Sequence, residues 1–296
     1  MTRATTFEQL RDETSFGSGT RLHLLAEIEK ILKRRVISFF SSPSSWQGMI
    51  SDDDADVITE LLSAAASSHV GVSLIISSPG GFALGAERIV HACRQASSND
   101  FHVIVPGQAK SAATIVCLGA MRIQMTATAE LGPIDPQVPI KTGGDLRFMP
   151  AHVVVRSYET LMKTAEKSKG RIEPFLLQLD RYDARDIEDV RREVELSKKI
   201  AGSLLSSGML KGQPKAKIDR CMKTFIDPDV TGSHGRPIFP DAAGQAGLTI
   251  DKIQSTEAVW RPLWEYYWRA TWAVTNRHAK LLETPTSSLP FGSPAD

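Results

Sequence analysis

The sequence predicts an α/β fold built on a parallel sheet, and three observations lead there. Short β-prone runs alternate with helix-periodic segments between Arg35 and Met125, the order that yields parallel strands joined by helical crossovers. Two turns, Pro79-Gly-Gly81 and Gly107 to Ser111, each follow an apolar run, which places both at one end of the sheet, where such folds bind ligands. The length of 296 residues, with 42% hydrophobic and 23% charged side chains, supplies a sizeable core and matches an ordinary soluble globular protein.

Taken in order, residues 1–18 are polar and punctuated by Gly and Ser, the composition of a loose arm. Leu24, Leu25, Ile28, Ile31 and Leu32 recur at helical spacing, and Arg35 to Phe40 is β-prone. Ser51 followed by Asp52, Asp53 and Asp54 starts a helix running to about Ser67, with acids at the positive end of its dipole. Val70 to Ile76 is a strand, Ala83 to Ala96 a helix, Phe101 to Val105 a strand, Lys110 to Gly119 a helix and Arg122 to Met125 a short strand. Beyond Met125 the pattern changes. Glu130 to Gln137 is turn-rich, Lys141 to Asp145 reads as a loop, and Val153 to Lys169 as a helix. Glu173 to Leu210 reads as one long charged helix with a solvated face, followed by a basic helix to Phe225, a loop from Asp227 to Pro237, a short helix from Asp241 and a strand from Thr249 to Ile253. Trp260, Trp264, Trp268 and Trp272 recur every fourth residue in a final amphipathic helix, and Thr284 to Asp296, rich in Pro and Ser, reads as disordered.

Composition excludes several function classes. Lys plus Arg (35) nearly cancels Asp plus Glu (34), so no nucleic-acid surface is expected. Cys93, Cys117 and Cys221 are far apart and odd in number, which fits buried thiols in a reducing cytoplasm rather than a disulfide framework. Cys and His show no metal-ligand spacing, and no metal or cofactor is expected. The N-terminus lacks the apolar stretch of a signal peptide and no run is long enough to span a bilayer, so the expectation is a cytoplasmic protein. The segment around the four tryptophans is not strongly basic, which favours packing or a subunit contact over a membrane surface.

The chemistry lies in the two turns. Ser111 offers a hydroxyl at a Gly-led turn entering an apolar helix. Gly80 and Gly81 leave backbone N–H groups open to close approach, because neither carries a Cβ. A nucleophile beside free amide donors is the minimum for acyl transfer. The bland alternative for Ser111 is a helix N-cap, the commonest use of serine at such a position. For Asp135, between two prolines, it is a hydrogen bond to its own backbone, and for His234 a loop-capping turn.

Ser78-Pro-Gly-Gly81 with Ala86 to Ile89, Val105 to Thr114, Ala129 to Gln137 and Pro150-Ala151, with a looser echo at Ser233 to Ile238 and Ala246 to Leu248, form an ordered set. On these residues the chain resembles the serine dehydrogenase proteinase family of the Clp-protease/crotonase superfamily, relatives of signal peptide peptidase A. The resemblance implies a spiral of stacked β-β-α units, with Ser111 as nucleophile and the N–H groups of Gly80 or Gly81 and of Ala112 as oxyanion donors. Clp-type proteases keep a histidine shortly after the serine, and here that neighbourhood, Gly132 to Pro136, has none. Signal peptide peptidase A uses a lysine farther downstream, which points to Lys163 as the base, with Lys167, Lys169 and His234 as alternatives and no motif support for His152. Lys110, beside the nucleophile, departs from the family pattern, and its side chain is expected to diverge from that of Ser111.

The expected organisation is an arm at 1–18, a Clp/crotonase-like serine protease domain at 19–253, a Trp-rich amphipathic helix at 254–283 and a disordered tail at 284–296. The expected function is cofactor-free hydrolysis of peptide bonds in a protein or peptide substrate by a Ser–Lys dyad. The resemblance also implies a homo-oligomer. The alternatives are a catalytically inactive Clp-like scaffold or regulatory protein, a crotonase-type acyl-CoA enzyme, and a membrane-surface protein anchored by the tryptophans.

Overall fold

The computed structural model describes residues 17–64, 70–142, 145–168 and 170–294. The first helix, α1 (Ser18–Leu32), leads into β1 (Arg35–Ser41), α2 (Asp53–Ala64), β2 (Val72–Ser77), α3 (Ala83–Ala96), β3 (Phe101–Val105), β4 (Gln108–Ala109), α4 (Ala112–Leu118), β5 (Arg122–Thr126) and β6 (Glu130–Leu131). The alternation expected from the sequence is therefore present, with helix ends shifted by a few residues. A hairpin follows, β7 (Gln137–Thr142) and β8 (Asp145–Pro150), where a loop was expected. Next come α5 (Ala151–Lys167), α6 (Glu173–Leu179), α7 (Ala184–Ser207), α8 (Lys215–Ile226), α9 (Pro228–Thr231), α10 (Pro240–Gln245), β9 (Ile250–Ile253), α11 (Trp260–Asn276), β10 (Lys280–Thr284) and β11 (Ser287–Phe291). The single long helix expected from Glu173 to Leu210 is broken. Asp183 caps a new helix by accepting from the Arg185 N–H (2.8 Å).

Seven strands form the main sheet in the order β11-β10-β1-β2-β3-β5-β9. The five strands from β1 to β9 are parallel, while β10 and β11 join antiparallel at the edge. Both faces of the parallel part are covered, so β2 is buried at all six positions. Ile37, Phe39, Leu74, Ile76, Val103, Val105, Ile123 and Met125 point into one core with α2, α3, α4, α7 and α8. Val36, Phe40, Ile75 and Ile104 point into the opposite core with α1 and α11.

A second, short ladder runs beside the ends of these strands. Ile50 bridges Gly81, Ser78 bridges Ala109, β4 pairs with β6, and Leu131 bridges Ile238. Successive passes of the chain leave one strand in the main sheet and one short segment in this ladder. That is the spiral of stacked β-β-α units, and its ladder carries both glycine turns.

The C-terminal region departs from expectation. Residues 287–291, expected within a disordered tail, form β11, and β10 ends at Thr284. The aromatic helix is shorter than expected and is no appendage. Its Leu263, Tyr266, Ala270, Ala273 and Val274 fill the second core. The physical reason is a buried polar cluster that composition does not reveal. Glu283, fully buried, accepts from Arg21 Nη2 (2.8 Å), Tyr266 Oη (2.9 Å) and Ser288 Oγ (2.6 Å). One carboxylate thus ties α1, α11, β10 and β11 together. The four tryptophans lie on the half-buried flank of α11, with Trp260 stacked on Trp264 (5.1 Å) and Trp264 edge-on to Trp268 (5.9 Å). No described helix is long and apolar enough to cross a membrane.

Candidate active site

Ser111 has φ 51° and ψ −119°, a conformation that side-chain-bearing residues seldom adopt. Lys110 O accepts from the Ala113 N–H (2.9 Å), closing a tight turn with Ser111 at its second position, the place glycine takes in turns of this type. Holding serine there costs of the order of 1–3 kcal/mol, and such strain persists only where the surroundings enforce it. The N-cap reading does not hold, since Ser111 makes no side-chain capping bond. Its hydroxyl has no hydrogen-bond partner among the described residues at the start of α4.

The enforcement comes from both sides. Buried Thr114 donates to Ala109 O (2.7 Å) and accepts from the Gly132 N–H (3.0 Å), locking α4 to the strands around it. Gly80 presses on the turn: a Cβ there would lie 2.7 Å from Ser111 Cβ and 3.0 Å from Ala112 N. Gly80 and Gly81 have φ of 112° and 152°, which explains why both are glycine.

Which amides are free follows from the ladder. The Gly80 N–H donates to Ser78 Oγ (3.1 Å), and Ser78 Oγ accepts from Ser41 Oγ (2.8 Å), so Gly80 is fixed from within. Ile50 bonds Gly80 O (2.8 Å) and the Phe82 N–H (2.9 Å), so the N–H of the intervening Gly81 points away from Ile50. Neither the Gly81 nor the Ala112 N–H has an acceptor among the described residues. Of the two glycines expected as donors, Gly81 is the available one. Ala112 opens α4 beside it, where first-turn N–H groups lack intrahelical partners.

These groups border a cavity of about 780 Å³ whose walls include Met49, Phe82, Ile115, Ile134 and Phe148, and His234 lines it together with Ser111. His234 Nδ1 lies 2.6 Å from Asp135 Oδ1. A carboxylate only accepts, so Nδ1 donates this bond, and in the neutral ring Nε2 is the nitrogen that holds the lone pair. The antiparallel bridge Leu131–Ile238 (N···O 3.0 and 2.9 Å) brings the His234 loop to the Asp135 turn. Asp135 therefore bonds a histidine from a distant segment, not its own backbone, and His234 is more than a loop cap. His152 Nδ1 is 3.2 Å from Asp135 Oδ2. That contact is off-axis, since both atoms are buried without a hydrogen bond among the described residues.

A family model for ClpP-like SDH-type serine proteinases matches residues 24–172, half of the chain and the whole stretch from Gly80 through Ser111 to Asp135. The chain belongs to this family. It is 33% identical over 179 residues to uncharacterized protein MJ0137 of Methanocaldococcus jannaschii, covering 56% of this chain and 58% of that one. It is 25% identical over 186 residues to uncharacterized protein MJ1495 of the same organism, covering 59% and 63%. The chain thus spans less than two thirds of the length of either relative. Among solved structures it is similar to a 1510-N membrane-bound stomatin-specific protease in its S97A form, with a TM-score of 0.31 and 18% identity over 48% of this chain and 68% of that one.

The lysines expected as base lie elsewhere. Lys163 is exposed on α5 and lines a separate cavity with Glu159, Arg191 and Lys198, not the one holding Ser111. Lys167 is exposed near the end of the same helix, and Lys169 lies outside the described residues. Lys110 diverges from Ser111 as expected, pairing with Glu130 Oε1 (2.8 Å). The matched family stretch ends before His234. In the sequence His234 stood only as an alternative base, within the looser echo at Ser233 to Ile238.

Proposed function

We propose that this protein hydrolyses peptide bonds as a serine peptidase, with Ser111 as nucleophile and His234, aligned by Asp135, as general base in place of a Ser111–Lys163 dyad. His234 Nε2 takes the Ser111 proton as Oγ attacks the substrate carbonyl carbon. The developing oxyanion meets the Gly81 and Ala112 N–H groups. His234 then passes its proton to the departing amine, and water resolves the acyl-enzyme by the same route in reverse. The observation that carries this reading is that the strained Ser111 shares one cavity with a histidine already hydrogen-bonded to a carboxylate.

The test is labelling by a serine-reactive fluorophosphonate, read by mass spectrometry and by cleavage of casein. Label is expected on Ser111, and Ser111→Ala should abolish both signals. His234→Ala should slow labelling by about 100- to 10,000-fold, while Lys163→Ala labels at the wild-type rate. Slow labelling by Lys163→Ala with normal labelling by His234→Ala would restore the dyad. A folded protein that takes up no label would sink the peptidase reading.

A further inference from the structure

We infer that the Ser111 cavity selects substrates carrying a basic side chain beside an apolar one, with Asp189 and Glu193 on α7 as the residues that recognise the cation. This inference rests on the peptidase reading and names its substrate class.

The argument is one of charge partition along a single helix. One face of α7 supplies Asp189, Val190, Glu193 and Ser197 to the Ser111 cavity, and these positions follow helical spacing. A neighbouring face turns Arg191, Val194, Glu195 and Lys198 into the cavity that contains Lys163. Arg191 and Lys198 are thus turned into the other cavity, away from Ser111. Among the described residues lining the Ser111 cavity there is no Lys or Arg, and Asp189 and Glu193 are the only carboxylates. Asp189 has one distant ion pair, to Arg192 (3.8 Å), and Glu193 has none among the described residues. Like charges four apart on a helix repel, so a cation seated between them relieves a cost already present.

A second observation points into the same space. Ser197 is 96% buried yet lines the cavity, and no acceptor or donor for its hydroxyl occurs among the described residues. It offers a polar contact below the two carboxylates. Most of the remaining side chains of the wall are apolar, and Trp46, Phe82 and Phe148 among them are largely exposed. Contiguous exposed apolar side chains around a cleft mark a binding surface. An extended chain with alternating lysine and leucine-like residues satisfies both features at once.

The experiment uses the full-length Ser111→Ala protein and three fluorescein-labelled peptides that differ only in one central residue, Lys, Gln or Glu, between leucines. Binding is read by fluorescence anisotropy at low salt, so it does not depend on turnover. The Lys peptide is expected to bind several-fold more tightly than the Gln peptide and the Glu peptide more weakly still, with about 1.5- to 5-fold per exposed carboxylate. The Lys-to-Gln ratio should collapse towards one in the Asp189→Asn/Glu193→Gln double variant and should shrink as salt is raised. Equal binding of the three peptides, no binding of any, or a ratio that survives the double variant overturns the inference. Failure of fluorophosphonate labelling at Ser111 alongside a Lys preference that vanishes in the double variant would instead remove the peptidase reading and leave the recognition in place.

Discussion

Glu283→Gln tests why the C-terminal segment is ordered. The carboxylate is fully buried and faces Arg21, itself 5% exposed, through Nε (3.0 Å to each oxygen) and Nη2 (2.8 Å). Neutralising it removes the carboxylate from a buried, hydrogen-bonded pair, which costs about 3–5 kcal/mol. The amide keeps one acceptor for Tyr266 or Ser288 but turns donors towards the other, adding to the loss. With a urea slope of about 2–3 kcal/mol/M, the unfolding midpoint should fall by about 1–2.5 M. Circular dichroism reads the whole fold, and tryptophan fluorescence reads α11, which carries four of the five tryptophans. The double variant Arg21→Met/Glu283→Leu removes both charges, and most of the lost stability should return, because a buried pair replaced by apolar groups of similar volume is often neutral. A loss under about 1 kcal/mol for Glu283→Gln, or a double variant no better than the single one, would refute the account.

Two further outcomes follow from buried titratable groups. Burial pushes Cys93 up to about 12, Cys221 up to about 11 and Cys117 higher still; a chromogenic disulfide at pH 8 should find no reactive thiol in the native protein and three in guanidinium, and fast reaction of any native thiol contradicts this. Burial first, then the nearby Arg34 charge, lowers His102 to about 4, against the opposing pull of Asp100 3.3 Å away. The unfolded chain then binds the proton before the folded one does, so stability is complete above about pH 6.5 and falls by up to about 3 kcal/mol on acidification to pH 4. Urea midpoints across that window should slope less in His102→Gln, and an equal slope would show that other groups set it.

The parallel half of the fold was legible because its signals are local. Alternating strands and helices, the two glycine turns and the serine that ends the second are written between Arg35 and Met125, and the structure keeps them in that order. The hairpin of β7 and β8 was missed because Thr142-Gly-Gly-Asp145 reads equally as a loop. The C-terminal strand was missed for a different reason. Pro290 and the serines of β11 suit a sheet edge, and β11 is the edge strand of the sheet, so composition alone cannot separate it from a disordered tail. The proposed base was the least legible residue of the site. Lys163 matched a spacing along the chain, whereas His234 reaches Asp135 through the Leu131–Ile238 bridge, a pairing that no local pattern predicts.

That bridge also bears on how the site is held. A strained turn such as that at Ser111 needs rigid neighbours, and here they come from segments far apart in the chain. Gly80 abuts Ser111 from the β2 end, and Gly132 seats against the Lys110 side chain. On the far side, a Cβ at Gly107 would lie 2.4 Å from Tyr267 Oη, so the aromatic helix forms the wall behind the start of the turn. Tyr267 follows Tyr266, whose hydroxyl is anchored by Glu283. Loosening that carboxylate should therefore relax the backing of the Gly107–Ser111 turn as well as destabilise the fold. In Glu283→Gln at temperatures where the fold persists, the labelling rate of Ser111 should fall more than the folded fraction does. Strict proportionality between the two would mean that the aromatic helix stabilises the protein without positioning its nucleophile.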